Sequence, residues 1–445
     1  MHISSLRHLT LAAVSAAAFC MPGASAHAES NYWEGDHAFG NLFGIRDAME
    51  ASGVEFFGSY EANIGANVSG GRERGEAYSD NFDFGLRFDL EQLFGWEGAK
   101  FTVQGVQRNG RSLTDDYVGN FYQVQQNFGV QTTMFYGFYL EQKFLDDRAS
   151  LKIGRFATNE DFATSPIYGL YMGNAIDGNP KSLVSSGAFT SYPGSTWAAR
   201  FRMDTSAETN FSLGVYQNNT WLYDDSKNGL DWGIRDEDGV MFISQFGWTP
   251  EFRKRPVASN SPSVSGKSGK DVNPGSTEMV GLPGHYWIGA YYSTWETPAF
   301  DTGEMRDGKY GFYLHADQMV FQEALDPEQG LTVWTALVYH PDERVNIIPF
   351  QVNAGLVYKG LFPGREEDST IFGATYGSFS SDYAREQNRL GNGEPDYETV
   401  FELGHRFQLT KFAYVMPELQ YIMNPAGTER FDDALIVGLR IGVTF

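Results

Sequence analysis

Apolar and polar side chains alternate along the last eleven residues of the chain. The apolar face of this segment carries Leu435, Val437, Leu439, Ile441, Val443 and Phe445. A period of two predicts a β-strand with unlike faces. A soluble protein rarely ends on an exposed apolar strand, because an open edge recruits other strands, whereas the closing strand of a membrane barrel has both edges paired. The ending therefore predicts a membrane β-barrel.

The same alternation recurs along most of the chain. It appears in sixteen segments, and a bacterial single-chain barrel is expected to have an even number of strands. The predicted strands are 55–67, 81–91, 100–109, 132–145, 150–157, 196–204, 209–219, 239–248, 284–294, 309–320, 331–340, 350–359, 369–379, 398–409, 412–423 and 433–445. We therefore predict an all-β fold, a transmembrane antiparallel barrel of about sixteen strands, which is wide enough to hold an aqueous channel.

Several segments indicate which face would meet lipid. In the segment 82–91, Phe84 and Leu86 lie on one side, and Asp83 and Arg87 lie on the other. A β-sandwich with its apolar faces turned inward is the alternative, but it would be unusually large for one domain. We therefore expect the apolar faces to meet lipid and the charged faces to line a water path.

The C-terminal strands follow the same rule. Glu402, Gln420 and Arg440 each oppose apolar neighbours in sequence, so they are predicted to face the lumen. The parity of the connections then puts Phe445 at the periplasmic rim.

The connections between the predicted strands set the orientation of the barrel. Links after even-numbered strands are often short, as at 146–149, and several links after odd-numbered strands are long, which is the pattern of periplasmic turns and outer loops. The longest outer link, 158–195, is predicted to fold inward and constrict the channel. The link 249–283 departs from the pattern, because it is periplasmic yet long and polar, and we expect a flexible insertion there.

The chain is expected to have three regions. The first, 1–28, is typical of a secretory signal, with one Arg, a short apolar run and small residues before a cleavage site after Ala28. The second, 29–54, is predicted to be a periplasmic segment with a short helix at 41–52. The third, 55–445, is the predicted barrel.

Composition narrows the classes of function. The formal net charge is −23, which disfavours a nucleic-acid partner. Cys20 is the only cysteine and lies in the predicted signal, so the mature chain is expected to have no disulfide and no thiol chemistry. No cofactor is expected.

The histidines outside the predicted signal are widely spaced. They are His37, His285, His315, His340 and His405. None lies in a motif with catalytic or metal-ligand spacing, so we expect neither an enzyme nor a metal site.

Short motifs in a fixed order point to a known family. They are LFGW at 93–96, RNGRSL at 108–113, DFATSP at 161–166, GNP at 178–180 and PELQYI at 417–422. Together they resemble the carbohydrate-selective porins of the OprB type, over nearly the whole mature chain. The resemblance implies an outer-membrane channel for passive diffusion of small sugars such as glucose into the periplasm.

The resemblance also implies which residues surround the sugar path. Mapped by motif, the constriction residues are Arg108, Arg111, Asp116, Asn120, Arg155 and Asp161. A structural salt bridge in the barrel wall is the alternative role for each arginine. The implied partners are small sugars, bound weakly and transiently, and outer-membrane lipid. The family resemblance favours a monomer, although general porins form trimers and a trimer stays open.

These residue types suit a sugar on chemical grounds. A sugar is neutral and covered in hydroxyls, while Arg presents a planar fork of donors and Asp accepts hydrogen bonds. Binding must stay weak, since the solute has to leave. A general porin, or one selective for another solute, is the alternative function. An adhesin or receptor barrel would need longer outer loops than these.

Overall fold

The structure is a computed structural model that describes residue 33 and residues 35–445, apart from 130, 220–221, 259–276, 324–325 and 327. Nineteen strands in this part of the chain are numbered in order. They are β1 Val54–Gly71, β2 Gly75–Asp89, β3 Ala99–Gly110, β4 Thr133–Phe144, β5 Ala149–Phe156, β6 Thr196–Asp204, β7 Thr209–Asn218, β8 Gly239–Trp248, β9 Glu251–Ala258, β10 Thr277–Ser293, β11 Thr297–Pro298, β12 Met305–Arg306, β13 Lys309–Gln322, β14 Gly330–Tyr339, β15 Phe350–Lys359, β16 Ser369–Ser378, β17 Tyr397–Thr410, β18 Ala413–Met423 and β19 Asp432–Thr444.

The helical elements of the described residues are short. The α-helices are α1 Ile45–Ala51, α2 Leu90–Phe94, α3 Lys181–Ser185 and α4 Ser381–Arg389. Short 3-10 or π turns lie at Leu42–Gly44, Thr114–Val118, Thr158–Glu160, Tyr168–Leu170, Asp225–Lys227 and Pro425–Gly427. None of the described helices has the length and apolar character needed to cross a membrane. Helix α1 confirms the short N-terminal helix predicted at 41–52.

Sixteen of the strands form one closed antiparallel wall. Each wall strand pairs with its neighbours in chain order, and β8 pairs directly with β10, with Trp248 opposite Tyr286. The ring closes between β1 and β19, where Ser59 lies opposite Thr444. Strands β9, β11 and β12 lie outside this ring. Each of the sixteen predicted strands overlaps one wall strand, so the predicted barrel is confirmed.

The two faces of the wall carry different residues. Glu402 and Gln420 are each 1% exposed, whereas their neighbours Leu403 and Leu419 are 48% and 44% exposed. Arg440 is also buried on the inner side. Apolar side chains therefore face outward to lipid, and polar side chains face the lumen, as the alternation predicts.

The last residue lies against the N-terminal segment. The amide N of Phe445 donates to the carbonyl oxygen of Gly58 at 2.8 Å. Its ring stacks on Phe39 with centroids 4.8 Å apart and meets Phe82 edge-on at 5.8 Å. The Phe445 ring thus packs at the end of the barrel where β1 begins and β19 ends.

The link 249–283 differs from the expected polar insertion, because both of its flanks are strands. Strand β9 pairs with Thr277–Pro283, the first part of β10, so the wall strand continues into a separate hairpin. Residues 259–276 lie outside the described residues, as does the predicted signal 1–28.

The segment 157–195 lies inside the barrel, where it forms much of the hydrophobic core. Tyr168, Tyr171 and Met172 have no exposed surface. Side chains of the wall hold this loop by its backbone: the amide N atoms of Met172 and Gly173 donate to Glu402 at 2.6 Å and 3.1 Å. A buried loop needs such partners, since its backbone groups cannot reach bulk water. The predicted inward loop is therefore present.

Gly373 of β16 lies directly beneath this loop. A Cβ atom there would lie 2.5 Å from the Tyr171 ring and 2.7 Å from Ile176. We expect Gly373→Leu to push the loop away from the wall and raise single-channel conductance in planar bilayers. Ala374→Leu is the matched control, because Ala374 alternates with Gly373 and points to the lipid side. Unchanged conductance in a folded Gly373→Leu barrel would contradict the packing described.

Candidate functional site

Two inward loops meet in the lumen and leave a polar pocket of about 370 Å³ between them. The second loop covers 111–132, and Glu398 of β17 fixes it by accepting from the amide N atoms of Phe121 and Tyr122 at 2.7 Å and 2.8 Å. The loops also bond to each other, since the amide N of Asn174 donates to the carbonyl oxygen of Gln123 at 2.8 Å. The pocket is lined by Arg108, Gln123, Gln126, Phe128, Gly129, Asn174, Asp177, Asn179, Lys181, Val184, Ser191, Tyr192, Pro193, Tyr223 and Asp225.

Arg108 is the wall residue that reaches this pocket. It lies on β3, where its Nε donates to Asn81 Oδ1 of the neighbouring strand at 2.8 Å. Its guanidinium lies over the Tyr192 ring, 5.1 Å from the ring centroid. In the described part of the chain, neither Arg108 nor Lys181 has a carboxylate partner within ion-pair distance. Both cations therefore keep donor capacity for a solute.

Asp177 belongs to a buried charge cluster behind the pocket. Its carboxylate lies 3.5 Å from the guanidinium of Arg440, which also pairs with Glu61 and donates to the carbonyl oxygen of Tyr171. The cluster joins β1, β19 and the inward loop. One arginine thus holds two carboxylates and a loop carbonyl in place.

Two groups on the inward loop have shifted acidity. Burial lowers the pKa of Lys181 to about 8. Burial raises the pKa of the Asp177 carboxyl, although Arg440 opposes the shift. Both shifts have the same physical cause, the loss of hydration that disfavours the charged form of a buried group.

The structure separates the six residues implied by the family resemblance. Arg108 lines the pocket. Asp161 accepts from Lys152 Nζ at 3.1 Å and from Arg200 Nε at 2.9 Å, so it ties the loop to the wall. Asn120 is buried, and its side-chain amide donates to the carbonyl oxygen of Tyr122.

Asp161 and Asn120 are absent from the pocket lining, and so are Arg111, Asp116 and Arg155. Arg111 and Asp116 pair with each other at 2.8 Å, with side chains 66% and 33% exposed. Arg155 donates to the carbonyl oxygens of Ser195 and Asp231 at 2.8 Å and 3.1 Å. Arg111, Asp116 and Arg155 therefore have structural partners away from the pocket.

Several pocket residues were missed by the motif mapping. Gln123 and Gln126 lie in the second loop, which the sequence did not predict to fold inward. Tyr192 lies near the end of the predicted constriction loop 158–195, and Tyr223 lies in the connection between β7 and β8; neither segment has a regular period. Asp177 and Lys181 also fall within the predicted constriction loop, and that position was the one sequence signal that could have identified them as pocket residues.

A closed wall of sixteen strands, with two loops folded into its lumen, defines a channel of the porin class. The family model described as the carbohydrate-selective porin, OprB family, matches residues 73–445. The chain belongs to this family. It is therefore an outer-membrane porin of the carbohydrate-selective type, and its family and fold are those of a channel rather than of an enzyme.

Individual relatives agree with this assignment. Porin B of Pseudomonas aeruginosa is 26% identical over 458 residues, which cover 95% of this chain and 94% of that protein. The putative porin QuiX of Acinetobacter baylyi is 24% identical over 474 residues, covering 99% of this chain and 100% of that protein. The solved high-pH structure of Pseudomonas putida OprB is similar with a TM-score of 0.82 and 26% identity, covering 94% of this chain and 100% of that one.

The Arg440 cluster yields a prediction about stability. Arg440→Met would leave Asp177 buried and Glu61 part-buried without their cation, and breaking a buried pair in this way costs about 3–5 kcal/mol. We expect a loss of that order in the free energy of unfolding, measured by urea unfolding in detergent micelles. Lys411→Met is the control, because its pair with Asp36 at 3.2 Å is largely exposed. Equal losses in the two variants would contradict the assigned role of Arg440.

Proposed function

We propose that this porin conducts small neutral sugars such as glucose passively into the periplasm, and that the pocket between the two loops is its selective constriction. The observation that carries the proposal is the lining itself, which combines donors, acceptors and aromatic rings within one pocket of about 370 Å³. That volume falls within the range of about 300–1,000 Å³ usual for small-molecule sites.

The lining matches the hydrogen-bonding capacity of a sugar. Each hydroxyl both donates and accepts, so it needs partners of both kinds. Arg108 and Lys181 supply donors, Asp177 and Asp225 supply acceptors, and side-chain amides such as that of Gln126 supply both. Such a lining can therefore pair with both the donor and the acceptor side of each sugar hydroxyl.

Aromatic side chains give the pocket flat apolar surface. Phe128, Tyr192 and Tyr223 all contribute to the lining. A sugar ring carries apolar C–H groups between its hydroxyls, and these pack on aromatic faces. The Tyr192 ring also holds Arg108 in place by a cation–π contact.

The charges of the pocket argue against selection for simple ions. Two cationic side chains and two carboxylates line it, so an ion of either sign meets a group of like charge. A neutral solute pays little for passing these groups, and exchange of one hydrogen bond for another keeps its binding weak.

The proposed selectivity predicts the outcome of a permeation assay. In liposomes containing the purified porin, we expect glucose to enter faster than an uncharged, non-sugar solute of equal size, and faster than a disaccharide or an amino acid. The rate of osmotic swelling measures entry. If glucose entered no faster than the size-matched solute, the channel would be a general porin, and the sugar-selective proposal would be lost.

Arg108 is predicted to contribute directly to sugar binding. Hydrogen bonds to charged groups contribute about 1.5–3 kcal/mol, so Arg108→Met should weaken block of single-channel current by glucose roughly tenfold or more. Arg111→Met is the matched control, because Arg111 has the same side chain but pairs with Asp116 outside the pocket lining. Equal block in Arg108→Met and the unmodified porin would remove Arg108 from the sugar path.

A further inference from the structure

Two histidines and one aspartate converge on the lumen wall, away from the pocket. His285 lies on β10, and His315 and Asp317 lie on β13. The register of the two strands puts His285 opposite Asp317. Among the described residues, this is the group in which three side chains bring metal-binding atoms within 4.8 Å of one another.

The donor atoms lie close to the spacing that a metal ion requires. Asp317 Oδ2 lies 2.8 Å from His315 Nε2 and 3.4 Å from His285 Nδ1. Metal–ligand bonds of about 2.0–2.2 Å, as Zn²⁺ forms with imidazole nitrogen and carboxylate oxygen, put neighbouring donors roughly 3–3.5 Å apart. The His285 side chain is 34% exposed, so its ring has room to turn toward His315 and complete the set.

The surroundings hold the His315 ring in a fixed orientation. The Tyr168 hydroxyl bonds to His315 Nδ1 at 2.8 Å, which leaves Nε2 directed at Asp317. The ring also stacks on Trp287, with centroids 5.1 Å apart. Metal-bound histidines usually have their second nitrogen fixed in this way by a hydrogen bond.

We propose that His285, His315 and Asp317 bind a divalent transition-metal ion, with Zn²⁺ as the ion that the donor set fits best. Two imidazoles and one carboxylate suit Zn²⁺ better than Ca²⁺ or Mg²⁺, which take oxygen ligands. Water from the lumen completes the coordination. The ion links two wall strands, and through Tyr168 it is coupled to the inward loop.

The three side chains form no spacing motif in the sequence, which is why no metal site was expected from the sequence. His285 and His315 are far apart in the chain. The pairing of β10 with β13 brings them together. The proposal stands apart from sugar conduction, because none of the three residues lines the pocket.

Zinc titration of the full-length porin in detergent tests the site. After chelator treatment, we expect one Zn²⁺ per chain at micromolar concentrations near pH 7.5, measured by competition with a chromophoric chelator. His285→Gln should weaken this binding at least tenfold. His405→Gln is the matched control, because His405 also pairs with an aspartate, Asp368 at 3.3 Å, but has no second histidine beside it. Its Zn²⁺ affinity should match that of the unmodified porin.

A second variant and a spectroscopic measurement test the zinc site if the first variant does not fold. Asp317→Asn replaces His285→Gln if the latter does not refold, as judged by heat-modifiable mobility on gels. Zinc K-edge absorption should show two imidazole ligands in the unmodified porin. The site would be overturned by absence of micromolar binding, by binding that the His285→Gln and Asp317→Asn variants retain, or by a spectrum without imidazole.

Discussion

The pairing of the first wall strand with the last is the constraint on which the rest of the molecule depends. No water is available within a bilayer to bond backbone N–H and C=O groups, and each unpaired group costs several kcal/mol. The ladder between β1 and β19, from Ser59 opposite Thr444 to Gly71 opposite Asp432, gives partners to the two edges that an open sheet would expose. Once the ring is closed, the number and stagger of its strands fix the width of the lumen.

Two loops fold into the wide lumen, and polar side chains on the inner face of the wall hold them there. A loop inside a barrel exposes backbone groups that need partners. Glu398 and Glu402 each accept two loop amides, and the side-chain amide nitrogen of Gln351 donates to the carbonyl oxygen of Ala175 at 3.0 Å. The inward polar residues therefore fix the loops as well as lining a water path. The alternation that turns every second side chain of a strand inward therefore also supplies the groups that hold the loops.

The fold was predictable because its signal is local and repeated. Each wall strand carries a period of two, and sixteen such signals in order predicted the strand number and the two faces. The orientation in the membrane stays a prediction. Strand β9 was missed, because the composition of 249–283 resembles a linker and the pairing with β10 is not visible in it.

The candidate site was less predictable, because the path of an irregular loop has no period. Motif position identified Arg108 but also Arg111 and Arg155, and nothing local distinguishes a pocket arginine from one that bonds to loop carbonyls or to Asp116. The lumen clusters depend on strand register, which decides that His285 meets Asp317. The sequence predicts which side of a strand faces the lumen. A site also depends on which residues of the neighbouring strands and loops lie beside it, and the sequence pattern does not show these.

The hairpin formed by β9 and the start of β10 has a consequence for how this barrel tolerates added sequence. The hairpin extends an existing strand beyond the wall instead of adding one to the ring. Pore diameter follows the number and stagger of the wall strands, and the wall continues past the hairpin through the direct pairing of β8 with β10. Lengthening a strand beyond the wall therefore leaves the circumference of the barrel unchanged. This end of the barrel can gain or lose a whole hairpin without a change in the number of wall strands.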